Sequence, residues 1–229
     1  MKRNYSIKAV IFDMDGLMVD TEPLYSEAMK QVAAKRGKCF TLPLKQKLMG
    51  RLPIESLTIF KEELELEEPA IKLLEEREEI YTRLLAQNIK PMPGFFKLLH
   101  LLNEIGIRKA IASSSKRRFI ELIVNKLGIV EQFEVIVSGE EVKYGKPNPD
   151  IYLLAAEKLN ISPQECLVLE DALTGVMSAK AAKMKCIAVP NQFTQGLDFS
   201  CADLVVNSLE EVDKIFTLVV TIQPLINTD

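Results

Sequence analysis

The segment Asp13–Thr21 places the carboxylates of Asp13 and Asp15 two residues apart and just ahead of Gly16. It follows an apolar run, residues 9–12, that is typical of a buried strand. A strand that ends in two acidic side chains meets few structural needs. A metal-assisted reaction with a carboxylate nucleophile does call for such a pair. Taken alone, however, the two aspartates could be ordinary turn residues.

Polar side chains that could take part in the same reaction follow two later predicted strands. They are Ser113, Ser114, Ser115, Glu170 and Asp171. The carboxyl ends of parallel strands share one edge of a sheet, where ligands bind, so we expect these groups to meet the first two aspartates. Converging carboxylates repel one another, and a hard divalent cation relieves that repulsion. The four carboxylates therefore predict a Mg²⁺ site.

Two further features suit an anion beside that cation. Serines just ahead of a helix lie where free backbone N–H groups and the helix dipole point. Lys146 precedes Pro147, which biases it to an extended backbone, and Asn148 is placed to cap the following helix. Held in this way, the ammonium of Lys146 could neutralise a phosphoryl group.

Each of these features also has an ordinary interpretation. Serines cap helices, acidic residues in a first turn stabilise the helix dipole, and a lysine in a loop is commonly just exposed. The order of the features along the chain and their places at strand ends favour the catalytic interpretation.

The elements that must position these residues show two patterns. From residue 21 to about 88 the apolar spacing is almost wholly helical, with helices predicted to begin near Thr21, residue 53 and Pro69. Beyond residue 91, helices alternate with short strands. Those strands are predicted at 108–112, 135–137, 166–169, 186–189 and 203–206. The alternation predicts an α/β class with right-handed crossovers and a doubly wound, mostly parallel sheet.

Composition excludes several other classes. A net charge of −3 over 229 residues argues against a nucleic-acid-binding surface. No run approaches the roughly 18 apolar residues of a membrane span. The four cysteines are widely separated, which indicates reduced thiols. The single histidine, His100, falls on an apolar-periodic helix, which leaves acid–base chemistry to carboxylates. We expect a cytoplasmic monomer that binds neither nucleic acid nor membrane.

Taken together, these segments resemble the four motifs of the haloacid dehalogenase-like hydrolase superfamily, over essentially the whole chain. The motif residues are Asp13-x-Asp15-Gly16, Ser113, Lys146 and Glu170-Asp171. The resemblance is closest to the helical-cap subfamily of β-phosphoglucomutase, pseudouridine-5′-phosphatase and 2-deoxyglucose-6-phosphatase. It implies a Rossmann-like core formed by residues 1–20 and 90–229, with residues 21–89 inserted as a cap of the four-helix type.

The resemblance also implies roles for the motif residues. Asp13 would attack phosphorus and form an aspartyl-phosphate, while Asp15 would protonate the leaving alcohol and then activate water. The Mg²⁺ ligands would be Asp13, Asp15 through its backbone carbonyl, Glu170 and Asp171. The phosphoryl oxygens would be bound by Ser113, Ser114 and Lys146.

Substrate choice is expected to rest on residues outside the motifs. The candidates are Tyr25, Gly50, Arg51, Lys116 and Arg117. The three cations among them could equally be ordinary solvated charges. Tyr25 stands where the mutases of the subfamily have a histidine, and the segment 48–53 lacks the basic residue that those mutases place near Pro53.

Both departures favour hydrolysis over isomerisation. The sequence therefore predicts a Mg²⁺-dependent phosphatase of a small phosphorylated metabolite, such as a sugar phosphate or a nucleotide-like monoester. A phosphosugar mutase is the alternative. A non-catalytic regulator that merely accepts a phosphoryl group on Asp13 is a third possibility.

Overall fold

The computed structural model describes residues 7–48 and 53–216. The chain forms two compact units, one within Met1–Asp20 and Lys90–Asp229 and the other within Thr21–Ile89. No helix in the described ranges is both long and apolar enough to cross a bilayer.

The first unit is built on one sheet, in which all strand pairs of the described residues are parallel. Its strands are β1 (Ala9–Phe12), β2 (Arg108–Ser113), β3 (Val135–Ser138), β4 (Cys166–Glu170), β5 (Lys185–Ala188) and β6 (Leu204–Val205). They lie in the order β3-β2-β1-β4-β5-β6. The chain thus builds outward from β1 to one side and then to the other. The strand order reverses beside β1, which is where α/β sheets bind ligands.

Eight α-helices fall within the described residues. They are α1 (Glu22–Ala34), α2 (Leu42–Leu48), α3 (Pro53–Glu63), α4 (Ala70–Asn88), α5 (Phe95–Glu104), α6 (Arg117–Leu127), α7 (Asp150–Leu159) and α8 (Leu173–Ala181). The first four belong to the second unit, and the others cover the sheet.

Both faces of β1 are buried, as its continuous apolar run predicts. Ala9 and Ile11 face a core shared with apolar residues of α7 and α8. Phe12 points to the opposite face, where its ring meets Phe95 of α5 edge-on at 6.2 Å and Phe133 at 5.7 Å. The strand that carries the first motif is therefore clamped from both sides.

Three predicted helix ends differ from those observed. Asn148 does not cap α7, because its side-chain amide donates to the Gly145 carbonyl at 3.1 Å, and Pro149 takes the capping position. The serine cluster does not cap α6, whose first residue is Arg117. The apolar spacing predicts a helix over 173–184, but α8 ends at Ala181 and Lys183 adopts a left-handed φ of 60°.

In the second unit, α1 packs on α4, and α2 and α3 complete the set. The sequence pattern gave α2 no separate prediction, because seven residues with Pro43 in the first turn are too few for an apolar period to show. His100 lies exposed on α5 within 3.4 Å of Glu104, which agrees with a surface role.

The two points where the chain leaves and re-enters the first unit are hydrogen-bonded to each other. Asp20 N–H donates to the Lys90 carbonyl at 3.0 Å, and Met92 N–H donates to the Met18 carbonyl at 2.9 Å. These bonds form a short antiparallel pairing at the base of the insertion.

Candidate active site

The end of β1 positions Asp13 at the carboxyl edge of the sheet. Phe12 is in register with Ile111 of β2 and Leu169 of β4, so Asp13 and Glu170 reach the same edge. The Asp13 N–H donates to the Leu169 carbonyl at 3.0 Å, which continues the sheet pairing by one residue. The acidic side chain is thereby fixed beside the end of β4.

Lys146 joins three of the strand ends. Its ammonium nitrogen lies 2.6 Å from Asp13 Oδ1, 2.6 Å from Glu170 Oε1 and 3.3 Å from the Ala112 carbonyl. The ring of Tyr152 lies under the same nitrogen at 4.8 Å. Burial alone would lower the pKa of this ammonium, but the two carboxylates outweigh burial and raise it. Lys146 is therefore a permanent positive charge in the cluster.

Glu170 is held from every side. Its Oε1 accepts hydrogen bonds from Lys146 and, at 2.8 Å, from the Tyr152 hydroxyl, while its Oε2 accepts from the Ala172 N–H at 2.9 Å. Gly175 of α8 approaches so closely that a Cβ there would lie 1.6 Å from Oε1. The carboxylate therefore has no room to move away from the cluster.

Asp13, Glu170 and Asp171 offer ligand oxygens that all lie within 4.8 Å of one another. Burial, helped by the neighbouring carboxylates, raises the pKa of Asp13 to about 7 and that of Asp171 to about 9. With all three carboxylates ionised, the ammonium of Lys146 alone would leave two negative charges unbalanced. An all-oxygen, buried and mutually repelling set of this kind fits a hard divalent cation.

The side chain of Asp15 is directed to the serine cluster. Its Oδ2 accepts hydrogen bonds from the Ser113 hydroxyl at 3.2 Å and the Ser115 hydroxyl at 2.7 Å. Ser113 Oγ in turn accepts the Ser115 N–H at 3.0 Å. Ser114 is exposed, and its carbonyl packs on Gly139, where a Cβ would lie 2.6 Å from the oxygen. The second hydroxyl on Asp15 thus comes from Ser115, which the sequence analysis placed at the strand end without assigning it a role.

Asn191 and Tyr152 were also missed. Asn191 follows β5 by three residues, and its side-chain amide reaches Asp171 Oδ2 at 2.7 Å and the Gly16 carbonyl at 3.1 Å. A polar residue just beyond a buried strand was the available signal for it. Tyr152 falls on the apolar face of α7, so its spacing indicated only a core residue.

One of the three specificity candidates of the second unit, Tyr25, lies among the described residues. Tyr25 is half-buried, with its ring 6.3 Å from that of Tyr81 and 5.0 Å from the guanidinium of Arg77. Burial raises the pKa of its hydroxyl. Gly50 and Arg51 lie outside the described residues.

The candidate Arg117 is engaged in structural contacts. Its guanidinium donates to Glu121 Oε1 and to the Ile136 carbonyl, both at 2.8 Å, and so ties the start of α6 to β3. Lys116 is the half-buried residue just ahead of that helix. The contacts of Arg117 favour the interpretation as an ordinary structural charge.

Comparison with known proteins agrees with this geometry. The sequence profile of the haloacid dehalogenase-like hydrolases matches residues 10–189. The phosphorylated carbohydrates phosphatase of Thermotoga maritima is 40% identical over 180 residues, which cover 77% of this chain and 82% of that protein. Hexitol phosphatase B of Escherichia coli K12 is 31% identical over 217 residues, which cover 90% and 94% of the two chains.

Among solved structures, the β-phosphoglucomutase of Clostridium difficile superposes with a TM-score of 0.73 at 29% identity, covering 94% of this chain and 99% of that one. The solved relatives confirm the predicted Rossmann-like α/β class with a helical cap, and the phosphatase relatives confirm the predicted enzyme class, a phosphoric monoester hydrolase. This chain belongs to the haloacid dehalogenase-like hydrolase family.

Proposed function

We propose that this protein is a Mg²⁺-dependent phosphatase of a small, sugar-like phosphate monoester and that it acts through an aspartyl-phosphate on Asp13. The observation that carries the proposal is the cluster at the sheet edge, in which Lys146 bridges Asp13 and Glu170 while Asp171 completes a group of three carboxylates. The names of two relatives, a phosphorylated carbohydrates phosphatase and a hexitol phosphatase, support the substrate class.

The metal would be held by Asp13, Glu170 and Asp171, together with the backbone carbonyl of Asp15. When bound, it would supply positive charge to phosphoryl oxygens, which is the main requirement of phosphoryl transfer. The protein adds the ammonium of Lys146, already fixed at the same edge. Ser113 and Ser114 would donate to the remaining phosphoryl oxygens.

Asp13 is suited to be the nucleophile because it is buried at the point where these positive charges meet. Its carboxylate would attack phosphorus, and the P–O bond to the alcohol would break. Asp15 would give its proton to the departing alkoxide oxygen and afterwards take one from the water that hydrolyses the intermediate. In the structure the hydroxyls of Ser113 and Ser115 both donate to Oδ2 of Asp15. Because a hydroxyl has one hydrogen, Ser113 would release Asp15 when it donates to a phosphoryl oxygen, and Ser115 would then hold the carboxyl in one orientation for both steps.

The first experiment measures phosphate release from p-nitrophenyl phosphate and from a panel of hexose, hexitol and nucleoside monophosphates. We expect activity that EDTA abolishes and Mg²⁺ restores, and loss of activity in Asp13→Asn. Asp198→Asn, at an exposed position, is the matched carboxylate-to-amide control. Activity that persists in EDTA, or in Asp13→Asn, would refute the proposal.

A phosphosugar mutase is the second candidate, because a β-phosphoglucomutase is among the similar solved structures. Incubation with β-glucose 1-phosphate and its bisphosphate separates the two activities. A phosphatase yields free phosphate and sugar, whereas a mutase yields the isomeric sugar phosphate.

A further inference from the structure

We propose that Asn191 is a positioning residue of the metal site: its side-chain amide orients Asp171 for Mg²⁺ and ties it to the turn that follows Asp15. The inference rests on the proposed function, since it concerns the cation that the carboxylates would bind. The residue lies outside the four sequence motifs, in the loop after β5.

The contacts of the amide are specific. Its nitrogen donates one hydrogen to Asp171 Oδ2 at 2.7 Å and the other to the Gly16 carbonyl at 3.1 Å. The two amide hydrogens therefore bind the two segments that meet at the site, one at Asp171 and the other at Gly16. One oxygen of Asp171 is occupied by a neutral donor, which leaves the other oxygen to a cation.

The orientation of the amide is fixed by its own loop. The Oδ1 atom of Asn191 accepts the Phe193 N–H at 2.8 Å, and the Asn191 N–H donates to Thr194 Oγ1 at 3.0 Å. Because the oxygen is taken by a backbone donor, the NH₂ group must be the end that faces Asp171. The loop thus presents a donor, not an acceptor, to the carboxylate.

Gly16 shows how closely these groups are packed. It has a left-handed φ of 83°, and a Cβ there would lie 2.4 Å from Asp171 Oδ2 and 2.6 Å from the Asn191 amide nitrogen. The turn after Asp15 is thereby shaped so that the amide can reach across it. A loop residue with no role beyond its own turn would not need to come this close to Gly16 and Asp171.

Partners of metal ligands commonly change metal affinity by about 10- to 100-fold when they are removed. Without the amide, Asp171 would be free to rotate, and its repulsion by Asp13 and Glu170 would favour orientations away from the site. A bound cation would then have to restrict the rotation of Asp171 itself, which would lower the affinity of the protein for the cation.

The test is calorimetric titration of Mg²⁺ into wild-type protein, Asn191→Ala and Gln195→Ala. Gln195 lies in the same loop, where its N–H donates to the Asn191 carbonyl at 2.9 Å, and its exposed side chain supplies the matched loss of an amide. We expect Asn191→Ala to raise the Mg²⁺ dissociation constant about tenfold or more. Gln195→Ala should stay within about twofold of wild type.

Asn191→Ser separates positioning from loop folding. A serine hydroxyl can still accept the Phe193 N–H as a weaker version of the same turn, but it is too short to reach Asp171. We expect the same loss of Mg²⁺ affinity with an unfolding midpoint in EDTA close to that of wild type. This variant also carries the test if Asn191→Ala does not fold.

Wild-type Mg²⁺ affinity in the folded Asn191 variants would overturn this inference and leave the proposed function standing. A wild-type protein that binds no Mg²⁺ would overturn both.

Discussion

Lys146 is the counter-charge that Asp13 and Glu170 share at the sheet edge. Its side chain is 7% exposed, and its ammonium contacts the carboxylates of Asp13 and Glu170, which are 10% and 1% exposed. Removal of one member of a buried charge set leaves the others uncompensated, which costs more than the pair itself contributes.

We predict that Lys146→Met, measured in EDTA, lowers the free energy of unfolding by about 3 to 5 kcal/mol, because Asp13 and Glu170 lose their shared counter-charge. The turnover number with Mg²⁺ present should fall about 10²- to 10³-fold. Chemical denaturation and phosphate release are the measurements. Lys143→Met, at an exposed neighbour, is the control and should change neither quantity.

Unchanged stability of Lys146→Met in EDTA would contradict this account. It would mean that the carboxylates are protonated together in the folded protein and need no partner.

At the scale of the element, α8 is built around the carboxylate it covers. Its Gly175 leaves space for Glu170, although glycine is a poor residue for a helix interior. Helix propensity therefore favours a residue other than glycine at position 175, whereas the packing of Glu170 requires glycine there.

Gly175→Ala tests that conflict. Helix propensity alone would make the variant about 1 kcal/mol more stable. Because the new methyl group would displace Glu170 Oε1, we predict the opposite sign, a less stable protein with turnover reduced at least about 100-fold. Gly145→Ala, where a Cβ meets nothing within 4 Å, is the matched control. A stabilised and active Gly175→Ala would show that Glu170 tolerates displacement.

Asp203, just ahead of β6, links α8 to β5. It accepts hydrogen bonds from Lys180, from Lys185 and from the Cys186 N–H. Burial opposes ionisation, but these donors together lower its pKa from 3.8 to about 2. A pKa that is depressed by folding contributes stability above the unfolded value, and that contribution is lost as the pH falls through the folded value.

We therefore expect Asp203→Asn to reduce the free energy of unfolding by about 1 to 2 kcal/mol at pH 7. The difference from wild type should shrink as the pH falls from about 4 toward 2. Urea denaturation across that range measures it. A difference that stays constant with pH would assign the effect to packing and not to charge.

The sequence predicted the strands and the catalytic edge because those signals are local. Short apolar runs followed by acids or serines mark strand ends wherever they occur, and β1, β2 and β4 were found in this way. Helix ends were less predictable. The side chain of Asn148, for example, donates to the Gly145 carbonyl within its own loop and does not cap α7. The roles of Asn191 and Tyr152 depend on contacts across many residues of chain, which no local pattern encodes.

At the scale of the whole molecule, the base of the insertion predicts what its removal would do. Because Asp20 and Lys90 are hydrogen-bonded to each other, a short turn could replace residues 21–89 without parting them. We predict that this deletion variant folds and binds Mg²⁺ within a few-fold of wild type, while its kcat/KM values for different phosphate monoesters become nearly equal. Circular dichroism, calorimetry and the substrate panel measure these three properties.

Retention of the wild-type substrate preference in the deletion variant would contradict the expectation that Tyr25, Gly50 and Arg51 contribute to substrate choice. It would place that selectivity in the loops of the sheet edge instead.

The pairing at the base of the insertion has one more consequence, for how such a protein could change over time. Hydrogen bonds between residues of the first unit hold the two ends of the inserted chain together, so the insertion is equivalent to a loop that is already closed. The entropy of closing a loop grows only with the logarithm of its length, by about 0.6 kcal/mol for each doubling. Insertions of quite different size could thus be exchanged with little effect on folding, so that new substrates are acquired while the reaction chemistry is inherited intact.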